Sequence, residues 1–246
     1  MIKVTKNALF AFAACAVATG ALAGNVQIQV LDKDGKPVPD AVVVVYPTAG
    51  SAAAPTLVPA SPVIEQEKMR FVPAVTVVVP GTTVRFTNQD RWDHHVRGNA
   101  ATPAASASPG TGGFELRLAG KTDGKPSNFA DVKLDTAGVV LLGCHLHGSM
   151  RGHVFVTDSA WTLKTDDNGI ARFAAVPEGA AQVRVWHAEQ LVDLPRKALQ
   201  VVASPVLDTV QLSVVPRVRR APPPSTAPGG PMGSYSLVQP AHQHTH

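Results

Sequence analysis

Cysteine is almost missing from this chain: two residues among 246, Cys15 and Cys144. Long apolar runs are missing too. The stretch from Ala8 to Ala18 is too short to cross a bilayer, which takes about 20 apolar residues, and no later stretch is longer. A membrane span is therefore not expected. Charge of one sign is nowhere concentrated. The densest basic cluster is Arg217, Arg219 and Arg220, which argues against nucleic acid as a partner, because phosphate binding needs a concentrated basic patch. Aromatic residues make up 5%, and no extended amphipathic helical pattern is present.

What is there begins with an export signal. Lys3 and Lys6 precede the apolar stretch, and Ala21-Leu22-Ala23 supplies the small residues that signal peptidase accepts. Residues 1–23 are read as a signal peptide and the mature start is placed near Gly24, which implies a periplasmic location. Cys15 within this segment is a poor match to a lipoprotein signal, because Phe12-Ala13-Ala14 precedes it. Loss of Lys3 and Lys6 lowers the net charge from +4 to +2. The remaining length, about 220 residues, suits one large or two small domains. Cys144 is then the single thiol in an oxidising compartment, with no internal disulfide partner. It is either a buried, inert thiol or a metal thiolate.

The body of the chain reads as all-β: short β-branched runs separated by Gly, Pro, Asn and Asp. Val26, Ile28 and Val30 alternate with polar residues, as in a half-buried strand, and Ala41 to Tyr46 is nearly continuous in apolar residues. Thr48 to Pro62 reads as an Ala-, Pro- and Ser-rich linker. Strands are expected at Val63 to Gln66, Ala74 to Val79, Thr82 to Thr87, Phe114 to Leu118, Phe129 to Leu134, Gly138 to Gly143 and Gly152 to Thr157, with a mobile loop at Gly98 to Gly113. A further set is expected at Trp161 to Thr165, Ile170 to Phe173, Gln182 to Trp186, Ala198 to Val202 and Thr209 to Val214. Asp166-Asp167-Asn168-Gly169 is a hairpin signal. The Pro-, Gly- and Ser-rich segment 216–246 reads as a disordered tail.

Val26-Gln27-Ile28-Gln29-Val30 with Asp34-Gly35-Lys36-Pro37-Val38-Pro39-Asp40-Ala41 resembles the opening of a carboxypeptidase-regulatory or Cna-B-like β-sandwich, an Ig-like or transthyretin-like fold. Lys164 to Gly169, Val176-Pro177-Glu178-Gly179 and Val183-Arg184-Val185-Trp186 resemble the rest of that module. The resemblance implies one small sandwich split into 24–59 and 158–215, with residues 60–157 inserted between its second and third strands. Insertion at an exposed loop is tolerated where chain ends lie close together. A single extended sandwich is the alternative.

The chemistry is concentrated in Gly143 to Gly152, where Cys144, His145, His147 and Met150 place a thiol, two imidazoles and a thioether in one short loop. Soft sulfur ligands suit copper, and two imidazoles with one thiolate and a long axial thioether make a blue-copper site. Cys144, His147 and Met150 are evenly spaced, and Asp93-His94-His95-Val96 is the natural source of a fourth ligand.

These residues, with Phe71-Val72-Pro73, Val79-Pro80-Gly81, Val84 to Asn88 and Asp90, resemble the plastocyanin and amicyanin branch of the cupredoxins, including methylamine-utilisation-type proteins, over Val63 to Thr157. The resemblance implies a Greek-key β-sandwich holding one type 1 copper ion through His94, Cys144, His147 and Met150. It further implies outer-sphere electron transfer to a transient protein partner, with no enzymatic activity of its own. Leu146 stands where the family usually has Pro, and His95 and His145 are extra imidazoles, read as non-ligands. Asn88 and Asp90 either orient the His94 loop or only form a turn. His153 reads as structural and His187 as a strand cap. His242, His244 and His246 either capture Cu or Zn weakly or are incidental. Copper storage or delivery is the rival function, and a structural or adhesive sandwich stiffened by a metal is the second rival.

Overall fold

The computed structural model describes residues 22–48, 62–100 and 113–217. Most of the expected signal peptide, most of the linker, the greater part of the 98–113 loop and nearly all of the expected tail, its three histidines included, lie outside the described residues.

The described residues form strands and no helix. They are β1 (Ala23–Leu31), β2 (Val42–Pro47), β3 (Val63–Glu67), β4 (Arg70–Val72), β5 (Val75–Val78), β6 (Thr82–Asn88), β7 (His94–Ala100) and β8 (Phe114–Leu118). There follow β9 (Phe129–Leu134), β10 (Gly138–Cys144), β11 (Arg151–Val156), β12 (Trp161–Lys164), β13 (Ile170–Pro177), β14 (Gly179–Trp186), β15 (Lys197–Val201) and β16 (Val206–Gln211).

They are arranged in four sheets, ordered β13-β1-β16, β12-β2-β14-β15, β5-β11-β10-β7-β8 and β4-β3-β6-β9. The first two draw only on residues before β3 and after β11; the last two draw only on the residues between. Three cores lie between successive sheets. The flanking core holds Val26, Ile28, Val30, Val43, Val45, Phe173 and Val183. The inner core holds Ile64, Phe71, Phe86, Val96, Leu142 and Val154. Between the two middle sheets, Val42 and Val44 meet Val75, Val139, Phe155 and Trp186.

This layering explains β2. Side chains alternate across a strand, so Val43 and Val45 fill one core while Val42 and Val44 fill another, and all four are fully buried. A strand covered on both faces needs apolar residues at every position. Full burial of each valine stabilises the fold by about 1.5–3 kcal/mol, so β2 fastens the flanking pair of sheets to the inner pair.

Three expectations change. Gly98 to Ala100 belong to β7 rather than to a loop. The inward positions of β7 are His94, Val96 and Gly98, and a histidine and a glycine hide the apolar alternation. Gly98 is required there because a Cβ would fall 2.1 Å from the Phe114 ring. Asp166 to Gly169 is not a hairpin: β12 and β13 belong to different sheets, and the turn is a corner between them. Asp166 Oδ1 accepts the Asn168 and Ile170 N–H groups there, and Gly169 takes a φ of +71° that suits glycine. β16 begins at Val206, earlier than Thr209, because it is set by parallel pairing with β1, Val26 opposite Val206.

Candidate metal centre

β7 and β10 are antiparallel neighbours, with Cys144 opposite Val96. His94 opens one strand and Cys144 closes the other, so two residues fifty positions apart in the chain share one end of the inner core. The turn from β10 to β11 brings back His147, and the Met150 N–H donates to the His147 carbonyl at 2.9 Å. Gly143 opposite Arg151 is the last strand pair before this turn.

Three donor atoms converge. Cys144 Sγ lies 3.6 Å from His94 Nδ1 and 3.5 Å from His147 Nδ1, and the two Nδ1 atoms are 3.2 Å apart. A point equidistant from all three lies about 2.0 Å from each, close to the length of a metal–imidazole bond and slightly short of a metal–thiolate bond. Among the described residues these are the one group of three His, Cys, Asp or Glu side chains arranged to hold an ion.

The centre is largely shielded from water. His94 is 0%, Cys144 4% and Met150 1% exposed. His147 is half-buried, and Leu146 beside it is 55% exposed. Met150 packs in the same core as Cys144, so all four residues singled out in the sequence gather at one end of the inner sheets.

Asp90 has the orienting role that the sequence left open. Its carboxylate is buried and lies 2.9 Å from His94 Nε2. A carboxylate that accepts the Nε2 proton leaves the lone pair on Nδ1, the atom that faces Cys144 and His147, and fixes the ring. The same carboxylate accepts the Lys68 and Met69 N–H groups at 2.7 and 3.0 Å. Those two residues form the β3–β4 turn with φ of 52° and 56°, a left-handed conformation that costs side-chain-bearing residues energy. Asn88 is fully buried and its amide donates to the carbonyls of Trp92, Leu118 and Ala119, which ties the loop before His94 to the end of β8. The β4 strand and the β3–β4 turn were not marked by apolar alternation; Phe71-Val72-Pro73 and Asp90, both among the residues that carry the resemblance, were the available clues.

The extra imidazoles lie elsewhere. His95 and His145 face each other with ring centroids 5.6 Å apart and are not part of the three-atom cluster. His153 stands against Trp186 at 5.3 Å. His187 Nδ1 accepts the Glu189 N–H just after β14, in keeping with a strand-end cap.

No protein-family model and no curated protein matches the sequence. Solved structures do. Amicyanin from Paracoccus versutus is similar at 23% identity and a TM-score of 0.32, over 46% of this chain and 97% of that one. A methionine-to-alanine mutant of amicyanin with Cu(I) is similar at 20% identity and a TM-score of 0.32, over 47% of this chain and 98% of that one. Likeness at this level adds nothing to the geometry of the centre.

Proposed function

We propose that this chain is an exported, periplasmic type 1 copper protein that carries electrons by outer-sphere transfer to a transient protein partner. His94, Cys144 and His147 would hold the ion, with the Met150 thioether as a weaker fourth donor. The observation that carries this reading is the triangle of Cys144 Sγ and two Nδ1 atoms with sides of 3.2 to 3.6 Å. The donor set fits copper: two imidazoles, one thiolate and a nearby thioether are the blue-copper complement, and the soft thioether is what separates it from a four-coordinate zinc site. The resemblance of Gly143 to Gly152 and His94-His95-Val96 to cupredoxins supports the same assignment.

A bound copper ion would supply a one-electron couple. The protein's part is to hold the donors in place. Cys144 and His94 sit on paired strands, Asp90 fixes the His94 ring, and the Met150 to His147 hydrogen bond closes the turn. Ligands held this firmly cannot relax far between two oxidation states, which keeps the reorganisation cost low. The inner core keeps water off His94 and Cys144, while half-buried His147 and exposed Leu146 form the accessible edge. The residues 60–157 would form the copper domain, and 24–59 with 158–215 the flanking sandwich.

Absorption and electron paramagnetic resonance spectra of the Cu(II)-loaded protein test this. An intense visible thiolate-to-copper band with narrow hyperfine splitting is expected, and Cys144→Ala abolishes both. A pale spectrum with wide splitting, unchanged in Cys144→Ala, would mean that histidines alone hold the ion and would replace electron transfer with copper storage or delivery.

A further inference from the structure

His95 follows His94 and His145 follows Cys144, and successive side chains of a strand point to opposite faces. The backbone that aims His94 and Cys144 into the inner core therefore places a second pair of imidazoles on the opposite face of the sheet, beyond the buried Val139. The His145 N–H donates to the His95 carbonyl at 2.8 Å, so His145, one residue past the end of β10, is the direct neighbour of His95 on β7. Their rings stand 5.6 Å apart at 64°.

His95 repeats the arrangement of His94. Its Nε2 lies 3.1 Å from Glu115 Oε2, as His94 Nε2 lies 2.9 Å from Asp90. A histidine that gives its Nε2 proton to a carboxylate presents Nδ1 as a strengthened metal donor. Glu115 is held in turn by Arg97, whose Nε is 2.9 Å from Oε1 in a charge contact. The His95 side chain is 13% exposed, whereas His145 is exposed; one ring is fixed and the other can adjust. The separation is the right size. A metal–nitrogen bond of about 2.0 Å, with about 1.2 Å from nitrogen to ring centre, puts two rings that share an ion about 5–6 Å apart.

We propose that His95 and His145 form a second metal site for a borderline divalent transition ion such as Zn(II) or Cu(II). Glu115 orients His95, and water fills the remaining positions. Imidazole donors favour such ions over Mg(II) or Ca(II). Arg117 opposite His95 and Arg151 opposite Gly143, with Arg97, oppose a dication on this face, so the site is weaker than the Cys144 centre. It does not depend on the copper assignment of that centre.

The test is calorimetric Zn(II) titration of the full chain carrying His242→Ala, His244→Ala and His246→Ala, so that the terminal histidines do not compete. His95→Ala, His145→Ala, Glu115→Gln and Cys144→Ala are each added to that background. Two equivalents are expected. The weaker one weakens at least tenfold in His95→Ala and in His145→Ala, and about tenfold in Glu115→Gln, while Cys144→Ala removes only the tighter one. If the weaker equivalent survives intact in either histidine variant, the rings are a stacked cross-strand pair and the second site is wrong. Failure of the Cys144 centre shows separately, as an unchanged tight equivalent in Cys144→Ala.

Discussion

The flanking and inner cores bury different chemistry. The flanking core is Val, Ile, Leu and Ala with Phe173 and Trp161. Its buried threonines mostly close the backbone at strand ends: the Thr165 hydroxyl accepts the Ala41 N–H and donates to the Val38 carbonyl. The inner core packs Cys144 and Met150 among its apolar residues and stands beside fully buried Gln66, Asn88 and His94. A buried polar group without a partner costs about 1–3 kcal/mol by protein mutational data. The flanking sheets bury polar side chains too, Asp32, Thr162, Thr165 and Gln190, each of them hydrogen-bonded, whereas the inner sheets bury an imidazole, a thiol and a thioether as well. The donor atoms of the candidate centre all come from the inner sheets, and β2 packs the flanking sheets against them.

Four substitutions break or sharpen this contrast. Phe173→Ala empties part of the flanking core and is expected to lower the unfolding free energy by about 3–5 kcal/mol, measured by denaturant titration. The thiolate-to-metal band of the folded variant should stay in place; a displaced band would show that the flanking sheets shape the centre. Asp90→Asn acts at the other pole. It disturbs the partner of His94 Nε2 and should weaken metal binding about 10–100-fold, read by competition with a chelator. Affinity unchanged by that substitution would mean that β7 alone orients His94.

Thr165→Val removes a buried hydroxyl that serves two backbone groups, for an expected loss of about 1–3 kcal/mol, with metal affinity untouched. The smallest effect concerns the corner at Asp166. The Ile170 N–H first, then Arg172, hold the Asp166 carboxyl below its ordinary value of 3.8. A carboxyl lowered in the folded state adds stability above that value and loses it as pH falls through the folded one. Denaturation midpoints at about pH 5 and about pH 3 should therefore differ slightly less in Asp166→Asn than in the parent chain. An equal or larger difference would remove Asp166 from the acid response.

Much of this was legible along the chain. The alternation of Val26, Ile28 and Val30 reports a half-buried strand, and the unbroken run at Val42 to Val45 reports a strand covered on both faces. The Cys144 to Met150 loop was legible because its three candidate ligands are local. β7 was less so, because its inward residues include a histidine and a glycine. The pairing of His94 with Asp90 could only be suspected, since a turn would have used the same residues.

The sequence by itself determined the β class, the residue chemistry of the loop and the identity of the candidate ligands, because each depends on short-range periodicity or on side-chain type. The tertiary structure alone decided that His94 Nδ1 meets Cys144 and His147, that Asp90 holds the back of that ring, and that His95 and His145 meet on the opposite face. Those contacts depend on the register between strands far apart in the chain. Register is chosen by the packing of all four sheets together, because a slip of one residue would turn every side chain of a strand to the wrong face.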